Sequence, residues 1–150
     1  MRGSVRHKLA ARLFKWFDFD PSDAFMMLPA QKGMHTPYHW RIEIRGLPQA
    51  SAPLRMEIAG DVVLGIERGG AAPDLDLAPY DGFNKGVSRI HAMFRPSKNR
   101  LYLIDLSSSN GTRINTLPVH PITAAVIRDQ DVISLGALSF SVAILNAPYR

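Results

Sequence analysis

The 150-residue sequence predicts an all-β sandwich preceded by an amphipathic N-terminal helix. Three observations predict it. From Tyr38 onward, apolar and polar residues alternate in short runs, the period of half-buried strands. The runs recur at close spacing and are punctuated by Gly, Pro, Asn and Asp, as in a sandwich. No stretch after Phe17 holds a long helical period, which argues against a parallel α/β fold.

Each element follows from its residues. Val5, Leu9, Leu13, Trp16 and Phe17 recur at three- and four-residue spacing, so residues 1–17 read as a helix with Ser4 as its N-cap. Lys8, Arg12 and Lys15 fall on the opposite side, and Asp18, Asp20 and Pro21 end the pattern. Residues 18–38 hold Pro21, Pro29, Gly33 and Pro37 without a clear period, and read as a linker or arm. Within it, Phe25, Met26, Met27 and Leu28 suit a hydrophobic plug against the domain better than a free tether.

The domain then occupies residues 39–150. Trp40, Ile42 and Ile44 alternate with Arg41, Glu43 and Arg45 in the first strand. Leu54, Met56 and Ile58 alternate with Arg55 and Glu57 in the second. Val62 to Leu64 is a short apolar run stopped by Gly65, and Leu75 and Leu77 flank Asp76. Ala92 to Phe94 precede a turn at Pro96 to Asn99. In the next strand Leu101, Leu103 and Asp105 take one side, Tyr102 and Ile104 the other. Val126-Ile127, Val132 to Leu135 and Leu138 to Leu145 finish the chain. Residues 128–131 and the Gly136-Ala137 turn read as hairpin connections.

Composition narrows the function. The chain has no cysteine, which excludes disulfide frameworks, thiolate zinc sites and cysteine nucleophiles and is compatible with a cytoplasmic setting. No apolar run approaches the ~20 residues that span a bilayer. The net charge is +5, and Arg2, Arg6, Lys8, Arg12 and Lys15 account for all of it. Beyond residue 17, 13 basic residues face all 13 acids. A broad basic surface for nucleic acid is therefore not expected. The basic segment 1–17 is too short to span a membrane and lacks a small-residue cleavage site. It reads as a terminal helix packed on its own domain or left mobile, or as one that touches a membrane surface or partner.

Three loops carry the informative chemistry. They are Gly65 to Arg68, Gly86 to His91, and Asp105 to Asn115. Ser88, Ser108, Ser109 and Thr112 offer hydroxyls, Asn110 an amide, and Arg68, Arg89 and Arg113 guanidinium forks. Gly111 permits a positive-φ backbone that aims successive N–H groups one way. That set suits an oxyanion such as a phosphate group better than a metal or an apolar ligand. Ser88, His91 and Asp105 supply the residue types of a hydrolytic triad, but no Gly-x-Ser-x-Gly turn accompanies them. His7, His35, His39 and His120 lack metal-site spacing, and there is no P-loop or dinucleotide fingerprint. No catalytic residue, metal or cofactor is expected.

These loops carry a resemblance. Gly65, Val87 to His91, Leu103 to Asp105, Ser108 to Thr112, Asn115 and Asp131 to Gly136 resemble a forkhead-associated (FHA) domain, in order and spacing, across residues 40–146. The resemblance implies an eleven-stranded β-sandwich that binds phosphothreonine peptides with loops at one end, as a non-catalytic interaction module. Carried onto this chain, it implies that Ser88 bonds a phosphate oxygen and Arg89 adds a charge-assisted contact. Ser109 and Asn110 would contact phosphate and peptide backbone. Gly65, His91 and Gly111 would shape the loops. The family usually has Arg directly after the strand-end glycine; here that position is Ile66. Arg68, at equal strand parity two residues on, is the candidate stand-in. The implied partner is a threonine-phosphorylated protein linked to a Ser/Thr kinase. The rival reading is a degenerate scaffold that binds a partner without phosphate, or a membrane-surface adapter acting through residues 1–17.

Overall fold

The computed structural model describes Gly33 and residues 35–148. The predicted helix over 1–17, and all but the end of the arm at 18–38, lie outside the described residues. Among the described residues, eleven strands form two sheets. In chain order they are β1 (Trp40–Arg45), β2 (Leu54–Ile58), β3 (Val62–Gly65), β4 (Leu75–Asp76), β5 (Ala92–Pro96) and β6 (Leu101–Asp105). They continue as β7 (Thr112–Ile114), β8 (Leu117–Val119), β9 (Ala124–Ile127), β10 (Val132–Leu135) and β11 (Leu138–Asn146). A short 3-10 helix, Ala78–Tyr80, follows β4. One sheet has the order β2-β1-β11-β10-β7-β8 and the other β4-β3-β5-β6-β9.

Alternation puts the core between the sheets. Ile42, Ile44, Phe140 and Val142 from the first sheet meet Leu64, Phe94, Leu101 and Leu103 from the second, each no more than 2% exposed. Trp40 packs in the same core and donates its indole N–H to the Ser97 carbonyl at 2.8 Å. The predicted alternation in β1, β2 and β6 therefore appears in the observed faces. All neighbouring strands pair antiparallel except β4, which runs parallel to β3 with Leu64 opposite Leu75.

Two local expectations change. The segment 128–131 is not a hairpin, because β9 pairs with β6 in one sheet while β10 pairs with β11 and β7 in the other. The Asp131 N–H donates to the Arg128 carbonyl, so a turn is present, but it carries the chain from sheet to sheet. The stretch Asp105 to Asn115 is not all loop, since Thr112 to Ile114 form β7 against β8. Asn115 and Thr116 make the tight turn there, both at positive φ. The Gly136-Ala137 turn does join β10 to β11 as a hairpin.

Candidate phosphopeptide-binding site

The loops after β3, before β5 and after β6 meet at one end of the sandwich, and the backbone contacts among them are close. Gly65 ends β3 against the chain at Ser88 and Arg89. A Cβ on Gly65 would lie 1.9 Å from the Arg89 carbonyl oxygen, so only glycine fits. The Ile66 N–H donates to the Ser88 and Arg89 carbonyls at 3.3 and 3.2 Å. Ile66 itself is 4% exposed and belongs to the core.

His91 joins the second loop to the third. It is fully buried. Its Nδ1 accepts the Ser88 N–H at 2.9 Å, and its Nε2–H donates to the Gly111 carbonyl at 2.9 Å. A backbone N–H only donates and a carbonyl only accepts, so the two contacts specify the neutral Nε2–H tautomer. Burial pushes the imidazole below its ordinary value, and the Gly111 carbonyl and the Asp105 charge only partly oppose this.

The third loop is braced from inside. Asp105 is 1% exposed, and its carboxylate accepts from the Ser108 N–H, the Ser108 hydroxyl and the Thr112 hydroxyl. Ser108 Oγ in turn accepts the Gly111 N–H at 3.0 Å. The hydroxyls of Ser108 and Thr112, grouped by sequence with the anion donors, are thus engaged inside the loop. Arg113 is exposed on β7 and does not line the cleft. Gly111 takes φ +83, as expected, and its carbonyl accepts from both His91 and the Gly136 N–H.

Above this frame lies an open cleft of about 770 Å³. Arg68, Ser88, Arg89, Ser109 and Asn110 all line it, so the five predicted contact residues share one surface. Among the described residues, two arginines and no carboxylate line the cleft, and Glu67 is not part of it. Ser88 Oγ accepts the Ser109 N–H at 3.1 Å, which leaves its own O–H as a donor. Asn110 Nδ2 donates to the Gly86 carbonyl at 2.9 Å, which leaves its Oδ1 as an acceptor. Arg68 lies on the Phe83 ring, 4.2 Å from its centroid, at one wall of the cleft.

Phe83, Ile90 and Ser107 also line the cleft and were not singled out by sequence. Phe83 is 57% exposed and Ile90 41%. An apolar residue inside the turn cluster Asp81 to Gly86 was the available signal for Phe83.

Comparison with known proteins gives one family. A family model described as the FHA domain matches residues 64–136. The glycogen accumulation regulator GarA of Mycobacterium tuberculosis is 33% identical over 126 residues, covering 80% of this chain and 71% of that protein. Protein FraH of a Nostoc species is 42% identical over 64 residues, 43% of this chain. The chain spans only 22% of FraH's length. Among solved structures, an FHA domain studied for its phosphothreonine-dependent interactions superposes with a TM-score of 0.56 at 26% identity, over 71% of this chain and 98% of that one.

Proposed function

This chain belongs to the FHA family, and from that premise we propose that it is a non-catalytic module that binds phosphothreonine in a protein partner. The observation that carries the reading is the cleft itself: among the described residues, Arg68, Arg89, Ser88, Ser109 and Asn110 line it and no Asp or Glu does. A phosphothreonine brings about −1.5 to −2 charge and three acceptor oxygens to such a surface. In this reading Ser88 and Arg89 hold the phosphate, Ser109 and Asn110 contact phosphate and peptide backbone, and Arg68 supplies charge from the wall. The buried Ile66 forms apolar floor where the family has Arg. The partner would be the product of a Ser/Thr kinase in a cytoplasmic setting. Among the described residues no helix is long and apolar enough to cross a membrane.

A second reading, a scaffold that binds without phosphate, has two observations on its side: Ile66 in the core, and Arg68 engaged with Phe83. A membrane-surface role for residues 1–17 rests on sequence alone. Calorimetry with a phosphothreonine peptide library and its unphosphorylated twins separates the first two. Phosphorylated peptides should bind, and Ser88→Ala should weaken them about tenfold or more, since a lost bond to a charged group costs about 1.5–3 kcal/mol. If no phosphopeptide outbinds its twin, the phosphate reading is wrong and the scaffold reading stands.

A further inference from the structure

Residue 66 is where this chain departs from its family, and the structure around it holds a second departure. Ile66 and Arg68 both line the cleft, whereas Glu67 between them does not. Ile66 is buried, and a Cβ on Gly82 would lie 2.9 Å from its Cγ2 methyl. The side chain in the arginine's place therefore packs against Gly82, at the foot of the loop that carries Phe83. Phe83 is more than half exposed, and Arg68 rests on its ring, 4.2 Å from the centroid.

Both partners of this contact are held by their backbones. The Glu67 N–H donates to the Asp76 carboxylate at 2.9 Å. The Ala71 N–H donates to the Arg68 carbonyl at 3.2 Å, across Gly69 and Gly70 at φ +61 and +85. Two positive φ values in a row make a tight turn that glycine adopts without strain. On the other side, the Gly86 N–H donates to the Phe83 carbonyl at 3.1 Å and the Val87 N–H to the Gly82 carbonyl at 2.9 Å. Asn84 Nδ2 donates to Asp81 Oδ1 at 2.8 Å. Arg68 thus starts from a fixed backbone and meets a ring whose own loop is fixed.

The charge pattern calls for an anion. Arg89 approaches the same turn, since a Cβ on Gly69 would lie 3.1 Å from Arg89 Nη1. The described ion pairs of arginine use Arg45, Arg55 and Arg95, not Arg68 or Arg89. Two guanidinium groups lining one cleft, with no Asp or Glu among its described lining residues, leave a positive field that an anion relieves. A ring face balances a cation without consuming its N–H donors, so Arg68 keeps them for a ligand.

We propose that Phe83 is a positioning residue: its ring holds the Arg68 guanidinium in the cleft, where Arg68 makes the phosphate contact that Ile66 cannot. This role rests on the phosphothreonine reading and adds to it a residue from outside the family's motifs. The work of the family's single arginine is divided here among three side chains. Ile66 floors the loop, Phe83 fixes the guanidinium and Arg68 carries the charge. A free arginine side chain loses rotamer freedom when it grips a ligand; one already laid on a ring loses less.

A double-mutant cycle tests the role, read by calorimetry on the full chain with the tightest phosphothreonine peptide of the library and its unphosphorylated twin. Arg68→Gln should weaken the phosphopeptide about tenfold or more. Phe83→Leu should weaken it about threefold, the worth of a cation–π contact at an exposed site, and Phe83→Tyr should keep wild-type affinity. In the Arg68→Gln background, Phe83→Leu should change nothing. Equal losses in both backgrounds would mean that Phe83 touches the peptide or merely braces its loop, and would overturn the proposal. So would an Arg68→Gln protein that binds as tightly as the wild type, an outcome that leaves the phosphothreonine reading standing on Ser88 and Arg89. A wild type that binds no phosphopeptide ends both. A second readout needs no ligand. The Arg68 Nε–H resonance, assigned by its loss in Arg68→Gln, should be displaced upfield by the ring current of Phe83 and should return in Phe83→Leu. The same resonance position in the wild type and Phe83→Leu would refute the contact.

Discussion

The imidazole of His91 shows how much one residue holds together. It bonds Ser88 and Gly111, 23 positions apart in sequence, and it can do so only as the neutral Nε2–H tautomer. Protonation would aim an N–H at the Ser88 N–H and would charge a buried group. The folded pKa is lowered from the usual 6.5, chiefly by burial. Below about pH 6.5 the unfolded chain therefore binds more protons at His91 than the folded one. The stability that His91 contributes is complete above that pH and falls as the medium is acidified toward the folded pKa. Tm measured between pH 7.5 and 5.5 should fall, and His91→Gln should flatten the His91 part of that slope while losing about 1–3 kcal/mol at neutral pH. Equal slopes in the two proteins would refute this. No feature of the sequence specifies the tautomer. That His91 shapes loops was legible from the Ser88-to-His91 motif; which atoms it joins was not, because Gly111 approaches only in the folded chain.

At the scale of elements, the end of β3 decides whether the cleft exists. Its glycine lets the strand touch the chain at Ser88 and Arg89, and the Ile66 N–H bonds there. A short apolar run predicted β3, and its glycine the stop at Gly65, since both are local. Alternation did not predict β7, whose three residues are too short for a period and form because β8 and β10 flank them. Gly65→Ala would place a Cβ 1.9 Å from a backbone oxygen that no rotamer can move. We expect it to cost about 3 kcal/mol or more, at the upper end of point mutations. It should also abolish peptide binding in protein that still folds. Urea unfolding together with peptide titration checks both; native-like stability in Gly65→Ala would refute the packing argument.

Across the whole molecule, the net charge and the cleft belong to different parts. The +5 lies in residues 1–17, whereas the cleft draws on two arginines, hydroxyls and an amide held by loops. Those loops keep their places because one core ties both sheets together. Phe94 is fully buried at its centre. Phe94→Ala should cost about 3–5 kcal/mol through lost burial and the cavity left behind. Unfolding followed by far-ultraviolet dichroism and by tryptophan fluorescence, which reports Trp40 and Trp16, should still give one coincident transition. Separate transitions would mean that the sheets unfold independently.

The sequence alone carried the all-β class, the inward sets of β1, β2 and β6, and, through the family resemblance, five of the residues that line the cleft. A two-residue period and a motif in series are local properties, written in consecutive side chains. Tertiary structure alone decided what those residues do for one another. It sent Ser108 and Thr112 inward to Asp105, tied Asn110 to Gly86, and laid Arg68 on Phe83. Each of these contacts depends on where the fold brings a residue's side chain or neighbouring loop, and alternation along a strand does not encode that.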